Sequence, residues 1–189
     1  MSIMDSGQIQ VTKMDATHRQ IRAAIRMWFA EEDPVAIHTL VAAAHEVVHS
    51  LFKLRGLSGL LFDSRLVKDE YRSEVAKLLK APANFFKHAD RDPDAIMDFH
   101  PYANELLLLT CVHALARMGE PTFLEYDVLT CWFRIHQPKF FPTDAIRDHT
   151  PAEALEHAER MTRNEFFKNC RALWDIGRMP SQIAARDRE

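Results

Sequence analysis

The chain has 189 residues, 47% hydrophobic and 27% charged, a balance that supports one globular domain with a sizeable core. Five glycines are too few for a turn-rich all-β protein, so an all-α fold is expected. A formal net charge of −3 gives no general attraction for nucleic acid or for anionic membrane surfaces.

Residues 1–13 read as an N-terminal arm without the basic region and apolar run of a secretory signal, and only residues 8–12 resemble a strand. A first helix is expected over 14–31 and a second over 34–55. Asp33-Pro34 marks the second start, because proline at the first helical position removes only an amide that has no intrahelical partner. At 100° per residue Ile37, Leu40, Val41, Ala44, Val47, Val48 and Leu51 share one broad face, which is core. The mixed charges of a third helix, 64–80, suit a solvated face. Residues 81–92 read as a connection and 93–99 as a short helix. Helices over 101–118 and 122–136 follow, then a joint over 137–143. A last helix spans 151–175, its start marked by Thr150-Pro151-Ala152-Glu153 at capping-box spacing. The whole is a single helical domain of about five to seven helices: the arm, a core bundle over 14–136, and a C-terminal helix with a basic tail over 137–189. The 34–55 helix should lie near the centre, with the C-terminal helix packing back across it.

Cys111, Cys131 and Cys170 stand apart among apolar neighbours, as buried reduced thiols of a cytoplasmic protein do. Trp28, Trp132 and Trp174 fall in helical patterns and read as core or interface, and His113 as a packed histidine. The aromatic surplus favours a homodimer.

His45-Glu46-Val47-Val48-His49 has the spacing of zinc peptidases. Two histidines at i and i+4 reach one ion from the same side, and the intervening glutamate acts as base on a bound water. A catalytic zinc needs a third protein ligand, and Phe52 and Arg55 occupy the metzincin positions for the glycine and histidine. His38, His45 and His49 also form a stripe beside the apolar face, where a neighbouring helix would close over them. The first expectation is therefore a helix seam with no cofactor. Zinc held by His45 and His49, with Glu46 as the catalytic base of a hydrolase, is the alternative.

The stretch PANFFKHADRDPDA concentrates Asn84, Lys87, His88 and Asp92 around two phenylalanines. A helix cap with core-plugging rings explains it structurally. Functionally, Asn84, Lys87, His88 and Asp92 would bind a ligand, with His88 as acid, base or phosphate contact.

Over most of its length the chain resembles an uncharacterised bacterial family of all-helical proteins. The helix, acidic break and helix ending in AAAHEVVHSLFKLRG are more distantly similar to the opening of HEPN domains. That resemblance implies a helical bundle, a dimer cleft and an Arg-Asn-x-x-x-His motif supporting RNA cleavage. Residues 83–88 keep the asparagine and histidine (Asn84, His88) but begin with Ala83. Residues 163–168 keep Arg163 and Asn164 but end with Lys168. The expected function is thus a non-catalytic or weakly catalytic HEPN-like module binding a protein partner or small ligand. A zinc hydrolase and a ribonuclease with a degenerate motif are the alternatives.

Overall fold

The computed structural model describes residues 7–60, 69–88, 90, 92–141, 146 and 150–176. Among them the chain is an all-α, single-domain bundle without strands. Its helices are α1 (Lys13–Phe29), α2 (Pro34–Leu54), α3 (Asp69–Phe85), α4 (Tyr102–Arg117), α5 (Leu124–His136), α6 (Ala152–Arg160) and α7 (Arg163–Asp175). A 3-10 turn, Pro138–Phe140, lies between α5 and α6.

Residues 8–12 form no strand; they lead into Thr12, whose hydroxyl accepts the Asp15 amide while the Asp15 carboxylate takes the Thr12 amide. This reciprocal cap starts α1. The α1–α2 turn ends in a Schellman arrangement: the Glu31 and Glu32 amides close on the Trp28 and Met27 carbonyls. Gly56 and Gly119 hold the left-handed position at the ends of α2 and α4, but after α1 it is filled by Glu31, at φ 57. A side chain there costs about 1–2 kcal/mol, so the turn depends on its packing and pairing. Asp33 then caps α2, its Oδ1 accepting the Val35 and Ala36 amides at 2.9 Å each.

α2 is the central helix, packed against α1, α3 and α4. Val41, Ala44, Val48 and Phe52 have no exposed surface and meet Ile21, Ile25 and Phe29 of α1 and Leu108 and Leu115 of α4 in one core. Each of the larger side chains so buried contributes about 1.5–3 kcal/mol. Of the described helices only α2 is long and apolar enough to cross a membrane, and it is also the most internal.

Other expectations change as well. α3 continues through Pro82 to Phe85 where a connection was expected. Inside a helix a proline loses its own amide bond and its ring crowds the carbonyl four residues earlier, yet the turn beyond it closes through Phe86 N–H to the Pro82 carbonyl and His88 N–H to the Asn84 carbonyl. Residues 93–99 form no helix: Asp92–Ala95 is a single turn, closed by the Ala95 amide on the Asp92 carbonyl. The helix expected over 151–175 is two, α6 and α7. Thr150 and Glu153 make no capping box; the box forms at Thr162 and Glu165, which splits the segment. α7 packs on α1 and α5 rather than across α2, with Phe166 and Phe167 against Phe29, and Phe166 edge-on to Trp132. The part of the third helix expected over 64–68, and the tail from 177, lie outside the described residues.

Candidate functional site

His38, the first histidine of the α2 stripe, lies in a helix seam. His38 is fully buried, with Nδ1 2.8 Å from Asn104 Oδ1, and the Asn104 amide donates to the Pro34 carbonyl at 2.9 Å. This geometry assigns the proton to Nδ1. Nε2 is buried without a hydrogen-bond partner among the described residues, and the ring meets the edges of Phe86 and Phe99 at centroid distances of 5.7 and 5.0 Å. Burial pushes the His38 pKa below its ordinary value, aided by the Lys87 charge, while the Asn104 bond acts in the opposite sense.

His45 is fully buried and His49 half-buried, their rings nearly parallel with centroids 6.2 Å apart. Between them Glu46 turns to α3, where Lys80 Nζ lies 2.9 Å from its carboxylate. Among the described residues no group of three His, Cys, Asp or Glu is placed to hold a metal ion. His45 and His49 are thus two of the three protein ligands a catalytic zinc requires, and the glutamate cast as its base is engaged by a lysine.

Asn84, Lys87, His88 and Asp92 are all exposed. Their backbones close the end of α3 and the turn after it, and none of them lines either cleft described below. Phe86, half-buried, points inward to His38. His113, expected to be packed, is exposed on α4. Cys111 and Cys170 are buried and Cys131 half-buried, all three as free thiols; burial pushes Cys131 up to about 11 and Cys170 to about 12.

The first cleft, about 290 Å³, opens where the α1–α2 turn meets the starts of α4 and α7. Arg163 lies over the Trp28 ring at 4.6 Å and pairs with Glu31 at 3.0 Å; Glu105 and His100 share the cleft. Burial pushes the Glu105 pKa up, against the Arg163 charge and a Trp28 hydrogen bond. Arg163 therefore shares a cleft with His100 and Glu105, to which His88 does not contribute.

The second cleft, about 510 Å³, lies between α1, the start of α5 and α7. Its floor is the Glu125 side chain, only 6% exposed. Arg22 grips this carboxylate with two nitrogens, Nε at 3.0 Å and Nη2 at 3.3 Å, and Arg26 donates to it from Nη1. Burial alone would raise the Glu125 pKa, but the bonds from Arg22, from its own backbone and from Arg26 hold it below the ordinary range. Arg22 also lies over the Phe123 ring at 4.4 Å. One turn earlier, His18 Nδ1 sits 2.7 Å from the Tyr126 hydroxyl, a second buried tie between α1 and α5. Arg171 and Trp174 of α7 complete the opposite wall. None of these cleft residues was singled out as a binding group from the sequence. The only available signal was the i, i+4 spacing of Arg22 and Arg26, since their shared partner lies about a hundred positions away.

No protein-family profile matches the chain, and neither a curated protein nor a solved structure matches it.

Proposed function

We propose that this protein is a cytoplasmic helical binding module that takes a small anionic ligand in the Arg22–Arg26–Arg171 cleft. The observation that carries the reading is the buried Glu125, which holds two guanidinium groups side by side at the edge of a cavity of ligand size. Each guanidinium has five N–H donors. Among the described residues Arg22 commits two nitrogens and Arg26 one to Glu125, so donors remain for an incoming anion. Because the arginines are held in place before a ligand arrives, less ordering entropy opposes binding. The Thr122 hydroxyl donates to Asp127 at 2.9 Å, and the remaining lining groups are guanidinium, carboxylate, ring and the Leu124 side chain.

The test is thermal unfolding at constant ionic strength with chloride replaced by acetate, benzoate, sulfate or phosphate. At least one anion should raise the midpoint saturably, as any ligand selective for the folded state does. Arg171→Gln, at an exposed position, should remove that rise without lowering the midpoint in chloride. No rise with any of the four, or a rise unaltered in Arg171→Gln, would remove the reading.

A further inference from the structure

We infer that the ligand of the Arg22–Arg26–Arg171 cleft is a small organic monocarboxylate with an aromatic body; the inference rests on the anion-binding reading above and narrows it.

Charge sets the valence. Three arginines and two acidic residues, Glu125 and Asp175, line the cleft, a formal surplus of one positive charge. A monoanion neutralises that surplus, whereas a phosphate dianion would leave a negative charge against a half-enclosed wall. Donor geometry sets the head group. The planar guanidinium fork matches a carboxylate edge to edge, the arrangement Arg22 already makes with Glu125.

The remaining walls set the body. Phe123, Phe167 and Trp174 line the cleft and are half-buried; Phe123 lies under the Arg22 guanidinium, and Phe167 and Trp174 keep ring surface that a ligand can cover. With the Thr122 hydroxyl turned to Asp127, polar recognition falls to the three arginines and Asp175, while Phe123, Leu124, Phe167 and Trp174 supply the apolar and aromatic surface. At about 510 Å³ the cavity is far larger than acetate or an inorganic anion needs and lies in the range of small-molecule sites. A flat ring on a short carboxylate arm fills both parts at once and gains the offset or edge-on contacts that aromatic pairs prefer.

The experiment is calorimetric titration of the full chain with four compounds: phenylacetate, indole-3-acetate, acetate and phenyl phosphate. Both arylacetates should saturate with a Kd at or below about 1 mM, acetate should bind at least about tenfold more weakly, and phenyl phosphate no more tightly than phenylacetate. Trp174→Leu should weaken both arylacetates by about fivefold or more and leave acetate unchanged, with circular dichroism reporting the fold. Acetate binding within about threefold of phenylacetate overturns the aromatic body while anion binding itself stands. Phenyl phosphate binding more than about tenfold tighter than phenylacetate overturns the charge match. No heat from any of the four at about 10 mM overturns this inference and the anion-binding reading together.

Discussion

His38 has no exposed surface, gives its Nδ1 proton to Asn104 and keeps Nε2 against the edges of Phe86 and Phe99. A second proton would place a charge in that apolar box beside Lys87, so the ring is held neutral in the folded chain and its pKa lies below the ordinary 6.5. The unfolded chain then binds more protons as acid is added. The stabilising contribution is complete above about pH 6.5 and is lost progressively as pH falls below it, with a slope of up to about 1.4 kcal/mol per pH unit for one such group. His18, also depressed by burial against the opposing Glu120 charge, adds a slope of the same sign. Urea titrations between pH 7.5 and 5 should show this loss, and His38→Gln, which keeps a donor toward Asn104, should remove about half of it. An unchanged slope in that variant would mean that His38 is not held neutral.

The elements that matched expectation are those whose signals are local. Asp33-Pro34 and the apolar face of α2 state its start and its length within one stretch of chain, and its buried side in part: Ile37, Val41, Ala44 and Val48 are buried, whereas Leu40, Val47 and Leu51 are half-buried and the flanking His38 and His45 are fully buried. The break between α6 and α7 shows the limit of such signals. Between residues 150 and 165 two Thr-x-x-Glu boxes occur, at Thr150–Glu153 and Thr162–Glu165, and an apolar series through Leu155, Ala158, Met161 and Phe166 runs across the gap as if one helix continued. Only tertiary packing decides between the boxes, because Phe166 and Phe167 must reach Phe29. Thr162→Ala should therefore lower stability by about 1 kcal/mol, while Thr150→Ala should change it by no more than about 0.5 kcal/mol, both read from urea midpoints. Equal effects would place the caps elsewhere. The second cleft was illegible for a related reason. Arg22, Arg26 and Glu125 become neighbours only when α5 docks on α1, whereas the five consecutive residues from His45 to His49 draw the eye to a metal whatever their surroundings.

At the scale of the molecule, the placement of α7 builds both clefts. Its first residue, Arg163, closes the smaller one over Trp28, and its Phe167, Arg171 and Trp174 wall the larger one against Arg22 and Arg26. Had α7 crossed α2, as the sequence led us to expect, neither cavity would have these walls. The central helix instead supplies the frame: it packs against α1, α3 and α4, and the cleft proposed for binding lies on the outer side of α1. The most direct test is where a ligand lands, read by a proton–nitrogen correlation titration of the full chain with phenylacetate, following arginine Nε and tryptophan Nε1 signals. The largest shifts should fall on Trp174 Nε1 and on the Nε signals of Arg22, Arg26 and Arg171. Largest shifts at Trp28 and Arg163, largest shifts at the amides of 84–92, or no saturable shift at all would contradict the assignment.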